Sequence, residues 1–209
     1  MISEAFQDYL LSCISPEPEL LKKLNRETHV TIIRSRMLSG HQQGLFLRMI
    51  SFMIAPDRIL EIGTFTGYSA LCMADGLREN GKLYTIEINE EVLDLARTYF
   101  KASPNDAKII SLHGDALEII DSIDEIFDLI FIDADKKRNF LYYEKCIEKL
   151  RPGGFMLIDN VLWDGKVFTG HTDADTLLIK ELNTFITTDQ RVENLIIPLR
   201  DGLHLIRKK

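Results

Sequence analysis

The chain has 209 residues, 45% of them hydrophobic and 27% charged, an ordinary globular composition with enough length for one α/β domain and a large core. A formal net charge of −7 argues mildly against a nucleic-acid binder but leaves room for a local basic face. No run of 18 apolar residues is present to span a membrane. Met1-Ile2-Ser3-Glu4-Ala5-Phe6 lacks the basic and apolar regions of a targeting signal. The widely spaced Cys13, Cys72 and Cys146 read as reduced core thiols of a cytoplasmic protein.

In chain order, residues 3–14 and 17–27 carry apolar positions at helical spacing, separated by Pro16 and Pro18. A third helix is expected over 40–54, with Leu45, Phe46, Met49, Ile50 and Met53 on one face and Pro56 as its stop. These early helices, residues 1–55, serve either for packing or as a dimer surface or lid. From residue 56 onward strand and helix alternate. Strands are expected at 58–62, 82–87, 107–112, 127–132 and 154–159, with helices at 67–77, 90–102, 114–121 and 137–149. A helix over 173–188 and two strands, 192–198 and 202–207, complete the chain. The alternation predicts a parallel sheet covered on both faces, with right-handed crossovers. The final pair predicts an antiparallel edge. The whole reads as a single domain.

The turn after the first strand, Glu61-Ile62-Gly63-Thr64-Phe65-Thr66-Gly67, lets the backbone approach a ligand at its glycines. It is neither Gly-x-Gly-x-x-Gly nor a P-loop, so a nucleoside without phosphates fits better than a dinucleotide. The acidic Glu61 would repel phosphate and pair with an ammonium group. Glu87 ends the next strand, where a carboxylate accepts hydrogen bonds from ribose hydroxyls; a lone strand-end glutamate is otherwise a solvated charge. Ala116, in Gly114-Asp115-Ala116, is small enough to border an adenine. Ammonium, ribose and adenine together describe S-adenosylmethionine.

Two further strands end in hard oxygen ligands, the first at Asp133 and the second at Asp159-Asn160. Parallel strands bring both ends to the edge where open α/β sheets bind ligands. Two carboxylates and an amide oxygen suit Mg²⁺, or Mn²⁺ or Ca²⁺ in its place. Lys136 follows one turn after Asp133 and could take a proton from a hydroxyl held there. As part of Lys136-Lys137-Arg138 it could equally be a solvated charge. Trp163, the only tryptophan, either walls an acceptor pocket or packs under its loop. His41, His113 and His171 have no ligand spacing.

The motifs Leu60-Glu61-Ile62-Gly63, Gly67-Tyr68-Ser69-Ala70, Tyr84-Thr85-Ile86-Glu87, Phe131-Ile132-Asp133-Ala134-Asp135-Lys136 and Ile158-Asp159-Asn160-Val161-Leu162-Trp163 stand in that order. With them the chain resembles the cation-dependent O-methyltransferases of the catechol and caffeoyl-CoA type, small bacterial branch, over about residues 30–209. The resemblance implies a Rossmann-like class I methyltransferase fold with a seven-stranded, mostly parallel sheet and extra N-terminal helices, and a homodimer. It implies that Ser39, Glu61, Gly63, Thr64 and Ser69 hold the methionine end of S-adenosylmethionine, that Glu87 binds the ribose and that Ala116 lines the adenine. Asp133, Asp159 and Asn160 would ligate the metal, Asp133 also lying near the cofactor, and Lys136 would be the general base. The implied acceptor is a catechol-like phenol. The rival acceptor is a hydroxylated wobble uridine in tRNA, bound by a basic face of Arg34, Arg36, Arg48, Lys136, Lys137, Arg138 and Arg207-Lys208-Lys209. A non-catalytic protein keeping the same fold is the third reading.

Overall fold

The computed structural model describes residues 4–209; Ser3, at the start of the first expected helix, lies outside them. The N-terminal part holds α1 (Glu4–Ser12), α2 (Glu19–Thr31) and α3 (Gly40–Ile54), with a 3-10 turn at Ser35–Met37. Alternation then runs β1 (Arg58–Ile62), α4 (Tyr68–Ala74), β2 (Lys82–Glu87), α5 (Glu90–Lys101), β3 (Ile109–His113), α6 (Ala116–Ser122), β4 (Phe127–Ile132), α7 (Asn139–Lys149) and β5 (Leu150–Asp159). A 3-10 segment, Trp163–Phe168, leads to α8 (Ala174–Thr188), β6 (Val192–Ile197) and β7 (Leu203–Lys208).

Among the described residues the strands form one seven-stranded sheet in the order β3-β2-β1-β4-β5-β7-β6. β7 runs antiparallel to both β5 and β6, and the other pairings are parallel. The expected antiparallel edge is therefore the β6–β7 pair, with β7 lying one place inside the edge. Helix starts follow capping chemistry: Asn89, Asp115 and Asp173 each accept a backbone N–H of the first turn of α5, α6 and α8.

Side chains alternate along each strand, so the sheet has two cores. Ile59, Leu83, Leu129, Phe131 and Leu157 face α2–α5, while Leu60, Ile62, Ile130, Ile132, Met156 and Ile158 face α6–α8.

Three expectations need correction. The buried face of α3 is Gln43, Gly44, Leu47 and Ser51, whereas Met49 and Met53 are exposed. The helix approaches α4 through small residues, and size rather than apolarity selects them. β5 begins at Leu150, ahead of Pro152-Gly153-Gly154, and absorbs them through a register shift against β4. Cys72 and Cys146 are buried free thiols, but Cys13 is exposed.

Candidate active site

The acidic side chains converge because of strand parity. Glu61 shares the parity of Ile59, Thr85 and Glu87 that of Leu83, Asp133 that of Phe131, and Asp159 that of Leu157. All five therefore project toward the α2–α5 layer. All lie in the C-terminal halves of their parallel strands or just beyond them, toward the edge where such sheets bind ligands.

Glu61 is fully buried and accepts from Ser69 Oγ and Thr85 Oγ1, each at 2.5 Å. Thr64 Oγ1 lies 2.5 Å from Thr85 Oγ1. Burial pushes the Glu61 carboxyl up to about 8, against the pull of those two hydroxyls. A cationic group beside it would hold it ionised. Ser69 has one hydroxyl proton, which here goes to Glu61. The turn above is tight: Gly63 has φ +98, and a Cβ there would lie 2.2 Å from the carbonyl oxygen of Asp133. Only glycine fits both restraints. Met37, Leu38, Ser39, Gly63, Thr64 and Asp133 line a narrow cavity over this turn.

Glu87 accepts from Phe65 N at 2.7 Å through one oxygen, and from Ile88 N and Asn89 N, both at 3.0 Å, through the other. These bonds fix the carboxylate at the strand end. Ala116 is buried at the start of α6. Its neighbour Asp115 caps that helix and pairs with Arg138 at 2.7 Å.

On the other side of β1, Lys136 Nζ lies 3.1 Å from Asp133 Oδ1 and 3.5 Å from the Asp159 carbonyl oxygen. The lysine side chain is only 12% exposed, which rules out the reading of Lys136 as a solvated charge. Asp159 is buried; it accepts from Gln43 Nε2 at 2.6 Å and from Asn160 N at 2.7 Å. Burial, then the charge of Asp133, raises its carboxyl well above the usual carboxylate range. Asn160 adopts φ +62, a conformation asparagine tolerates better than most residues. Among the described residues no three His, Cys, Asp or Glu side chains form a metal cluster. The candidate centre is the set of two carboxylates and one amide. That set fits a hard divalent cation: its carboxylates repel each other, and a cation would stabilise both as ions.

Sequence reading missed Gln43, which contacts Asp159 across 116 positions. The available signal was a polar residue on the buried face of α3, but the apolar pattern pointed to another face. Trp163 starts a strained loop with φ +50, and its indole nitrogen is buried without a hydrogen-bond partner. The expected basic face is divided. Arg48, Arg138 and Arg207 are ion-paired, and Lys208 donates to the carbonyls of Ile147 and Leu150. Leu203 pairs with Asp159, and β7 runs away from it, so Arg207 lies about 13 Å toward the opposite end of the sheet.

A nucleoside-cofactor turn and an acidic centre side by side at the open end of this seven-stranded sheet define a class I methyltransferase. The profile of the O-methyltransferase family matches residues 11–209. The chain is 33% identical to caffeoyl-CoA O-methyltransferase 2 of Populus trichocarpa, over 99% of its own length and 89% of the relative's. It is 34% identical to caffeoyl-CoA O-methyltransferase of Eucalyptus gunnii, covering 99% and 88%. Among solved structures, the O-methyltransferase TomG from Streptomyces achromogenes, in complex with SAM, superimposes with a TM-score of 0.90 at 26% identity, covering 98% of this chain and 96% of that one. The O-methyltransferase from Bacillus cereus in complex with SAH gives 0.88 at 27% identity, covering 98% and 97%. The chain belongs to the O-methyltransferase family, and it is an enzyme of the S-adenosylmethionine-dependent class.

Proposed function

We propose that the protein is a divalent-cation-dependent O-methyltransferase whose acceptor carries two vicinal hydroxyls, as a catechol does. The observation that carries this reading is the placement of Lys136 against Asp133 and the Asp159 backbone, 3.1 and 3.5 Å away, beside a cavity lined by Ser39, Gly63 and Thr64. Glu61 and the Gly63-Thr64 turn take the methionine end of S-adenosylmethionine, with Ser69 below. Glu87 takes the ribose and Ala116 the adenine. Asp133, Asp159 and Asn160 would hold Mg²⁺, Mn²⁺ or Ca²⁺. Such a cation supplies Lewis acidity and a chelating grip on the two acceptor oxygens.

The chain's own residues do the rest. Lys136 Nζ is placed to take the hydroxyl proton as the oxygen attacks the methyl carbon and the carbon–sulfur bond breaks, leaving S-adenosylhomocysteine. The buried turn over Gly63 fixes the donor, so oxygen and methyl are held close and in line. The caffeoyl-CoA relatives support a phenolic acceptor.

A second reading, methyl transfer to a wobble 5-hydroxyuridine in tRNA, draws on Arg34, Arg36 and Lys137. These are exposed, close in sequence to Ser39 or Lys136, and without ion pairs among the described residues. The deciding experiment supplies labelled S-adenosylmethionine and Mg²⁺, in parallel, to a catechol panel and to tRNA from a strain lacking the protein. Label on a catechol that disappears on chelation is the expected result. Label on tRNA alone transfers the assignment to RNA, and activity that survives chelation removes the metal.

A further inference from the structure

Arg200 sits in the turn between β6 and β7 with φ +51, a conformation unfavourable for a side chain of this kind. Its Nη1 donates to the carbonyl oxygen of Leu38 at 2.9 Å, to that of Ser39, and to Gln43 Oε1 at 3.2 Å. Gln43 is fully buried and gives its amide nitrogen to Asp159 Oδ2 at 2.6 Å. Arginine can only donate and an ionised carboxylate can only accept, so one orientation of the Gln43 amide satisfies both. The result is a single line of hydrogen bonds. It starts at the Leu38–Ser39 carbonyls on the wall of the cavity over Gly63, passes through Arg200 and Gln43, and ends at Asp159. It joins three segments far apart in sequence.

We propose that Gln43 and Arg200 are positioning residues that bind the cofactor-facing turn Leu38–Ser39 and the Asp159 carboxylate into one unit. The proposal rests on the reading that the cavity beside Ser39 takes the methionine end of S-adenosylmethionine. Neither side chain needs to touch the cofactor. Arg200 holds the backbone that does, and Gln43 sets the rotamer of Asp159. Charge-assisted hydrogen bonds of this kind are strong enough to shift affinity when removed.

The test titrates S-adenosylhomocysteine into the full chain by calorimetry, without added metal, for the wild type, Arg200→Met, Gln43→Met and the double variant. Gln43→Met keeps the side chain's length and removes its bonds to both Arg200 and Asp159. Arg200→Met is expected to weaken binding about tenfold, and Gln43→Met about three- to fivefold. The double variant is expected to be no weaker than Arg200→Met, because the residues act through one network. An Arg200→Met affinity within about twofold of wild type, or effects that multiply in the double variant, would overturn the proposal. Should Arg200→Met fail to fold, Arg200→Lys retains a donor for the carbonyls and takes its place in the cycle, with a smaller loss expected. A strut that only stabilises the fold would lower the melting temperature and leave the affinity unchanged, which also counts against the proposal. Mn²⁺ titrated into the wild-type complex, followed by electron paramagnetic resonance, examines the metal reading separately. Uptake lost in Asp159→Asn and weakened in Gln43→Met extends the unit to the cation. A wild type that takes up no Mn²⁺ removes the metal, while the S-adenosylhomocysteine cycle still decides the relay.

Discussion

At the scale of single residues, the site places ionisable groups where water cannot reach them. Glu61 titrates at about 8 in the folded chain, whereas an unfolded glutamate titrates near 4.3. Between these values the folded chain keeps a proton that the unfolded chain has lost, so stability falls as pH rises through that window. Asp159, also raised, acts in the same direction. The melting temperature of the ligand-free protein should therefore decline from about pH 5 to 8. Glu61→Gln should flatten that decline; an unchanged slope would place the titration elsewhere. Binding a cationic amino group next to Glu61 should expel its proton below pH 8, readable as a buffer-dependent heat in calorimetry. Lys136 makes a different demand. Lys136→Ala removes the group placed for proton transfer but no part of the cavity over Gly63. Turnover should drop by roughly 10²- to 10⁴-fold, the range of general-base contributions. S-adenosylhomocysteine affinity, measured by titration, should hold. Equal losses in both would make Lys136 a structural partner of Asp133.

At the scale of elements, the layer over the site is set by how closely α3 meets α4. Ser51 Oγ donates to the Met73 carbonyl at 2.6 Å, and a Cβ on Gly76 would stand 2.3 Å from the Ser51 carbonyl carbon. Backbone on both sides leaves little room to relax. Gly76→Ala should destabilise the protein by about 2 kcal/mol, within the usual range for overpacking. Urea unfolding would show this as a lower midpoint at constant slope. The same contact explains what the sequence concealed. Strands β1, β2 and β4 were legible as short apolar runs, the first two bounded by Gly63 and Gly81, and their terminal acids follow from that register. The covering face of α3 was not, because Leu45, Phe46, Met49, Ile50 and Met53 make the stronger helical pattern while Gly44 and Ser51 make the closer contact. The Gln43–Asp159 bond was also beyond reach. It spans 116 positions, and no local rule pairs a glutamine with a particular strand-end carboxylate.

At the scale of the whole molecule, the sheet's polarity separates the surface into regions with different tasks. The acids and Lys136 occupy one end of the strands, and Arg207 and Lys208 the other. One extended basic surface serving the site would have to wrap a chain whose net charge is −7. What the fold does leave uncovered is apolar. Met49, Phe52 and Met53, 57%, 52% and 79% exposed, fall at helical spacing on the outer side of α3, and the homodimer implied by the family resemblance would bury them. The edge strand β6 offers a competing surface, since Leu195 and Ile196 are also exposed there and its outer backbone is unpaired. The two surfaces can be separated. Light scattering should give twice the chain mass for the wild type and for Leu195→Lys, and the single-chain mass for Phe52→Glu with Met53→Glu. Such charges on an unburied α3 face would face water and leave assembly intact. A dimer that survives them but not Leu195→Lys would make β6 the contact and leave the outer face of α3 in water.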